Sequence, residues 1–161
     1  MSDLTKRIRD KLEGEIRTIE HELNLELPKE LLRARAHGDL SENAEYDAAK
    51  HRQEFVRSRI AQLEGRAREL SMYTIASIPH GVVAYGSRVT VEDVDVGEPV
   101  AYDIVFPEEA DVSKGQISLS SPIGRGLLNK TVGDEVVIQT PSGKRTYQII
   151  ELVTLHERTD R

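Results

Sequence analysis

Hydrophobic residues recur every three or four positions through the start of the chain, which is the spacing of one face of an α-helix. The apolar positions are Leu4, Ile8, Leu12, Ile16, Ile19, Leu23, Leu27, Leu31 and Ala34. They predict a helix over residues 4–36. Pro28 lies within this pattern, and because proline lacks a backbone donor and clashes one turn back, we expect a kink or short break near Leu27.

A second helical pattern covers residues 41–71. Its apolar positions are Ala44, Ala48, Phe55, Ile60, Leu63, Ala67 and Leu70. Neither helix can bury its apolar face alone, so the two patterns predict an antiparallel coiled-coil hairpin with arms about 45 Å long. Small residues near the turn would keep its tip slim, while larger ones would hold the arms together further back. These small residues are Ala34, Ala44, Ala48 and Ala49.

From about Gly81 the pattern changes to β-branched runs separated by turn sequences. The runs are SRVTVEDV, VAYDIVF, GQISLSS, DEVVIQT and RTYQIIELVTL. A short helix is predicted at SPIGRGLLNK, with Ser121 as its N-cap and Pro122 as its first residue. PSGK is predicted as the turn between the last two strands. The fold class is therefore α+β: a helical hairpin over residues 1–75, then a small domain over residues 76–161 with an antiparallel sheet and one short helix.

Composition narrows the function classes. The net charge is −6 and the second half is acidic, which disfavours clamping free nucleic acid by counterion release. The absence of cysteine excludes disulfides, thiolate zinc sites and cysteine nucleophiles. The charged start does not resemble a signal peptide, and no apolar run approaches the length of a membrane span, so we expect a cytoplasmic protein.

The stretch HGDLSENAEYDAAK, residues 37–50, lies between the two helical patterns and is called the tip motif below. One interpretation is structural. Gly38 can end the first helix, and Asp39 can cap the second with Glu42 closing a capping box, while Ser41 is a competing cap. The other interpretation is chemical, because Asp39 and Glu42 are hard carboxylates three residues apart. They could share one Mg²⁺ ion if another active site supplied the remaining ligands. The two interpretations are compatible.

Basic residues cluster on both arms behind the tip motif. They are Arg33, Arg35, Lys50, Arg52, Arg57 and Arg59. Such residues commonly form solvated faces and weak ion pairs. Alternatively, they could hold a phosphate backbone while the tip meets a scissile bond. Arg35 and Lys50 lie nearest the turn and are the best candidates for that contact.

ARAHGDLSENAEYDAAK and ISLSSPIGRGLLNKTVGDEVVIQTPSG resemble signature stretches of the GreA/GreB family of bacterial transcript cleavage factors, closest to its GreA branch. The resemblance runs from about Lys11 to Leu155. It implies a coiled coil followed by an FKBP-like domain that docks on bacterial RNA polymerase. The coiled coil would reach through the secondary channel as a monomer. Asp39 and Glu42 would hold Mg²⁺ jointly with the polymerase and position the water that cuts the 3′ end of backtracked nascent RNA. The chain would then be an activator of the polymerase's own cleavage activity, not an enzyme.

The resemblance also assigns roles near the turn. Arg35 and Lys50 match positions that contact RNA. Residues that match the motif and would shape the tip are Gly38, Ser41, Asn43 and Tyr46; Tyr46 could equally be an ordinary packing aromatic. Two family features are missing, a Thr-x-x-Gly segment before the first helix and an Arg-Pro pair within it. These departures concern the base of the arm and leave the tip motif intact.

Three alternative functions remain at this point. The first is a cleavage-deficient relative that inhibits by blocking the channel, although GDLSENAEY follows the pattern of active factors. The second is a peptidyl-prolyl isomerase, which would need an aromatic-lined pocket. A sheet core would use several of the aromatic residues available, which are Tyr73, Tyr85, Tyr102, Phe106 and Tyr147. The third is a coiled-coil adaptor that dimerises through its arms.

Overall fold

The computed structural model describes residues 3–158 except Gly38 and Asp39, and for residues 37 and 40–43 it describes the backbone only. The chain divides into two compact units, Met1–Thr74 and Ile75–Arg161. The first is helical and the second is built on a sheet. Within the described residues, no helix combines the length and the apolar character that crossing a membrane requires.

The helical unit contains α1 (Lys6–His21), α2 (Leu27–His37) and α3 (Leu40–Ser71). A π-helical segment, Glu22–Glu26, joins α1 to α2. Its last hydrogen bond runs from the Leu27 backbone N–H to the Glu22 carbonyl, five residues back. The wider turn lies immediately before Pro28, where an ordinary α-turn would lack its donor and clash. The helix is therefore not broken near Leu27 as predicted: a π-helical segment takes the place of the break within a continuous helical arm.

The two arms meet along a narrow line of buried side chains, called the seam below. From α1 and α2 it takes Ile8, Leu12, Leu27 and Ala34, and from α3 it takes Ala49, Val56, Leu63 and Leu70. The α3 residues are spaced by seven, which is the repeat of a coiled coil. Their size falls from leucine to valine to alanine toward the turn, so the prediction of small residues near the tip is confirmed for Ala34 and Ala49.

The predicted apolar face of the second helix is wrong in its first half. Phe55 is 59% exposed, and Ala44 and Ala48 are also exposed. The pattern drawn through Phe55 needs a five-residue step to Ile60, which a helix face cannot provide. Counting back from Leu63 in sevens instead reaches Val56, which is 1% exposed.

The sheet unit contains β1 (Arg88–Asp93), β2 (Pro99–Val105), β3 (Gln116–Ser118), α4 (Pro122–Leu127), β4 (Glu135–Thr140) and β5 (Gly143–Val153). The strand order is β3-β2-β1-β5-β4. The predicted strands, the short helix and the turn between the last two strands are all confirmed. Ser121 caps α4 as predicted, since its Oγ accepts a hydrogen bond from the Gly124 N–H at 3.1 Å.

The sheet is mixed, which corrects the prediction of a purely antiparallel one. β1 pairs antiparallel with β2 and β5, and β4 pairs antiparallel with β5. β2 and β3, however, run parallel, with Ile104 opposite Ile117. The connection between them contains two 3₁₀ turns, Pro107–Glu109 and Val112–Lys114, that bring the chain back before β3 begins. A tight hairpin turn would have reversed the direction instead.

The core of the sheet unit lies on one face of the sheet, under α4. Its buried cluster comprises Val83, Val89, Val91, Ile104, Ile117, Leu127, Val136, Ile138 and Ile149. Tyr85 and Phe106 are buried and stacked, with ring centroids 4.1 Å apart, and Tyr102 and Tyr147 pack against the cluster. An isomerase pocket would need accessible aromatic side chains, and the burial of Tyr85 and Phe106 removes two of the five aromatic residues available for one.

Candidate functional site

The turn of the hairpin lies between the end of α2 at His37 and the start of α3 at Leu40. Gly38 and Asp39 lie outside the described residues. The side chains of Ser41, Glu42 and Asn43 also lie outside them, although their backbone forms the first turn of α3. The predicted cap, the capping box and the metal-ligand pair of Asp39 and Glu42 therefore stay predictions.

Arg35 and Tyr46, which the sequence placed on different arms, are in contact. The Arg35 Nη2 donates a hydrogen bond to the Tyr46 hydroxyl at 3.2 Å. The Arg35 guanidinium carbon also lies 5.6 Å from the centroid of the Tyr46 ring, within the range of a cation–π interaction. This contact ties α2 to α3 close behind the turn.

Lys50 follows Tyr46 by one helical turn and is exposed. Its Nζ lies 3.4 Å from Gln53 Oε1 on the same helix. These residues belong to a groove along one side of the seam, called the basic groove below. Its lining comprises Pro28, Leu31, Leu32, Arg35, Tyr46, Lys50, Gln53 and Arg57. Every charged residue in this lining is a cation, and Leu32 adds an apolar surface that is 69% exposed.

A second groove has a different charge pattern. Its lining comprises Glu30, Arg33, Ala34, Glu45, Ala48, Ala49 and Arg52. Two acids and two bases make it electrically balanced. A groove with cations, an aromatic ring and an exposed leucine suits a single nucleic-acid strand, because phosphates meet the cations while bases stack on the apolar surfaces. The basic groove has this combination and the balanced one does not.

Further from the turn, arginines on α3 form ion pairs across the arms. Arg52 Nε lies 2.7 Å from Glu22 Oε2, and Arg59 Nη2 lies 3.0 Å from Glu15 Oε1. The hydrogen bonds from Arg52 hold the pKa of the Glu22 carboxyl below its ordinary value. These two arginines are therefore compensated by carboxylates.

The structure thus divides the six basic residues that the sequence grouped as one cluster. Arg35, Lys50 and Arg57 line the basic groove, Arg33 and Arg52 line the balanced one, and Arg59 pairs with a carboxylate of α1. Sequence reasoning missed Arg57 as a partner of Lys50. The seven-residue spacing between them, which places both on one face of α3, was the signal that could have identified it.

Outside the turn, the described residues hold no group of three or more histidines or carboxylates that could bind a metal ion. Asp39 and the Glu42 side chain lie outside the described part of the chain.

Two family models match the chain. The model described as "Transcription elongation factor, N-terminal" matches residues 3–71, and "Transcription elongation factor, GreA/GreB, C-term" matches residues 78–153. The Transcription elongation factor GreA of Halorhodospira halophila is 41% identical over 150 residues, which cover 92% of this chain and 95% of that protein. The chain belongs to the GreA/GreB family of transcription elongation factors. The family predicted from the two signature stretches is confirmed.

Two further relatives are similar to this chain over most of its length. The Transcription elongation factor GreA of Magnetococcus marinus is 45% identical over 119 residues, covering 74% of this chain and 76% of that protein. The crystal structure of GreA factor homolog 1 from Thermus thermophilus is 28% identical and covers 90% of this chain and 94% of its own, with a TM-score of 0.41.

Proposed function

We propose that this chain binds bacterial RNA polymerase, inserts its hairpin into the secondary channel and stimulates Mg²⁺-dependent cleavage of the 3′ end of backtracked nascent RNA. Cleavage would give the arrested complex a new 3′ end and let elongation resume. The chain would activate the polymerase's own activity as a monomer, without being an enzyme. The observation that carries this proposal is a basic groove on a GreA/GreB hairpin whose lining includes Tyr46 and Lys50 of the tip motif.

The dimensions of the hairpin support its insertion into a channel. α3 has 32 residues and is therefore about 48 Å long at the rise of an α-helix. Ala34 and Ala49 occupy the seam near the turn, so the arms can approach closely there. A long element that is narrow at its end suits insertion into a channel.

The tip motif would act on the scissile bond. Asp39 and Glu42 would hold Mg²⁺ jointly with the polymerase, because Mg²⁺ takes one or two protein carboxylates and completes its shell with water and phosphate. The bound ion would supply Lewis-acid chemistry that activates water. Gly38, Ser41 and Asn43 would shape the turn that presents the two carboxylates.

The basic groove would hold the RNA. Arg35 and Lys50 would bind phosphates of the extruded 3′ segment, and Arg57 would extend that contact away from the turn. The sheet unit would dock on the polymerase, which leaves the hairpin to carry the RNA and metal contacts. Net acidity of the chain fits this division, because the groove needs only a local positive charge.

The decisive experiment uses a stalled, backtracked elongation complex with end-labelled RNA and Mg²⁺. We expect wild type to cleave, and the Asp39→Ala and Glu42→Ala variants to bind polymerase without stimulating cleavage. Glu45→Ala and Asp47→Ala are matched controls, since they remove the same charge within one to two turns of the pair. Controls that lose cleavage as completely as the two variants would show that general acidity matters and the metal pair does not.

The same experiment separates the alternatives. A wild-type chain that binds but does not cleave would be a channel-blocking relative, and the tip acids would then be a helix cap. Sedimentation of the free chain tests the alternative that the protein is a coiled-coil adaptor, because an adaptor would dimerise through its arms. A chain that neither binds polymerase nor stays monomeric would overturn the proposal.

A further inference from the structure

Arginines of the hairpin contact either a carboxylate or a phenol on the opposite arm. Away from the turn, Arg52 and Arg59 pair with the carboxylates of Glu22 and Glu15. Near the turn, Arg35 contacts the phenol of Tyr46. Over the part of the chain whose side chains are described, no carboxylate lies within ion-pair distance of Arg35. The arginine nearest the tip is therefore tied across the arms by a neutral partner.

A neutral partner orients a guanidinium without cancelling its charge. The Tyr46 hydroxyl accepts one of the five hydrogen bonds that a guanidinium can donate, and the ring face attracts the cation. Among the side chains that the structure describes, no carboxylate neutralises the charge of Arg35. A glutamate at the same place would form a bidentate pair and occupy the donors that a phosphate needs.

Orientation in advance matters because arginine is long and flexible. A free arginine loses rotamer freedom when it binds a phosphate, and that loss weakens binding. Arg35 is exposed while Tyr46 is half-buried, so the more constrained ring can restrain the more mobile side chain. A restrained guanidinium would bind RNA with less loss of freedom.

We propose that Tyr46 is a positioning residue that holds the Arg35 guanidinium in the basic groove, oriented for a phosphate of the RNA. The phosphate contact rests on the proposed function, whereas the restraint of Arg35 is a property of the free chain. Tyr46 itself acts through Arg35 and does not touch the reacting atoms.

A double-mutant cycle tests the functional half. Tyr46→Phe keeps the ring and removes the hydroxyl, so the arms stay packed. We expect it to lower cleavage at limiting factor concentration by about three- to tenfold, the range that one hydrogen bond supports. In an Arg35→Ala background the same change should have no effect, because the residue it acts through is gone. Additive effects, or full activity of Tyr46→Phe beside a defective Arg35→Ala, would overturn the proposal.

Nuclear magnetic resonance of the free chain tests the restraint without polymerase. The Arg35 Nε–H should be ordered in wild type and mobile in Tyr46→Phe, while the Arg52 Nε–H, bonded to Glu22, should be unchanged. An Arg35 that is equally mobile in both proteins would overturn the positioning role. If wild type fails to cleave but Arg35 is released by Tyr46→Phe, the proposed function fails and the restraint stands.

Discussion

The sheet unit and the helical hairpin use the same aliphatic residues but bury them differently. The sheet unit closes a cluster that includes Val89, Ile104, Leu127 and Ile149 on several elements. The hairpin buries single residues along a seam, and on α3 these shrink from Leu63 to Ala49 toward the turn. The clustered core of the sheet unit buries more apolar surface per residue and so adds more stability. The seam of the hairpin buries less, but it allows a long and narrow element. The hairpin therefore leaves its last turns to charged and aromatic side chains that can meet a ligand.

The largest expected effect comes from the closed core. Ile149 is fully buried in β5, while its neighbour Ile150 is 41% exposed beside a register shift in the pairing with β1. Ile149→Ala should lower the free energy of unfolding by about 3–4 kcal/mol, and Ile150→Ala by less than about 1 kcal/mol. Urea denaturation with hydrogen exchange of the β1 and β5 amides measures both. Equal losses of stability for the two variants would mean that the core does not lie on the Ile149 side of the sheet.

Glycine-to-alanine changes should shift the free energy of unfolding in opposite directions in the two units. At Gly124 in α4 a Cβ would lie 2.1 Å from the Ser118 carbonyl oxygen, whereas at Gly65 in α3 its nearest neighbour is an arginine side-chain atom at 3.8 Å. Gly124→Ala should destabilise by about 2–3 kcal/mol through overlap with backbone. Gly65→Ala should stabilise by about 0.5–1 kcal/mol through helix propensity. Thermal unfolding of the two variants measures the signs, and a stabilising Gly124→Ala would contradict the close packing of α4.

Within the hairpin, truncating the smaller Val56 should lower the free energy of unfolding more than truncating the larger Phe55. Val56 is 1% exposed in the seam, and Phe55 is 59% exposed with Arg52 over its ring at 5.2 Å. Val56→Ala should cost about 2 kcal/mol, from roughly 0.8 kcal/mol per buried methylene plus a cavity. Phe55→Ala should cost less than about 1 kcal/mol. Far-UV circular dichroism during urea unfolding measures the stability of both variants. A larger loss of stability for Phe55→Ala would mean that Phe55 belongs to the buried face of α3, as the sequence predicted.

The smallest expected effect is the pH dependence of the ion pair between Glu22 and Arg52. The hydrogen bonds from Arg52 lower the pKa of Glu22 from its ordinary value of 4.5, so the unfolded state binds the proton more tightly than the folded state. The stabilisation is therefore complete above that value and is lost as pH falls below it. Because the pair is solvent-exposed, we expect less than about 1 kcal/mol.

Glu22→Gln is the control for that pair, since it removes the titrating group and keeps the side-chain shape. The difference in unfolding free energy between wild type and Glu22→Gln should shrink on acidification and at high salt. A difference that grew toward low pH would mean that the sign of the pKa shift is wrong.

Much of the fold follows from local spacing. Steps of three and four residues predict the arms, alternation predicts the strands, and Ser121 before Pro122 predicts the start of α4. These signals are readable because each depends on neighbours in the chain. The same holds for the tip motif, whose residue types identified the family.

Errors arose where the outcome depends on distant residues. Phe55 is as hydrophobic as Val56, and the choice between them depends on which face of α3 meets the other arm. The parallel pairing of Ile104 with Ile117 depends on how the connection between β2 and β3 folds back. Neither preference is visible within one helical turn or one strand.

The sequence by itself determined the two structural patterns, the family and the residue types at the turn. The tertiary structure alone decided which partners the arginines of the arms contact. Arg52 meets Glu22 across 30 residues and Arg59 meets Glu15 across 44, whereas Arg35 meets Tyr46. Those partnerships depend on the register between the arms. Register is a property of two packed helices, and a pattern read along either one does not contain it.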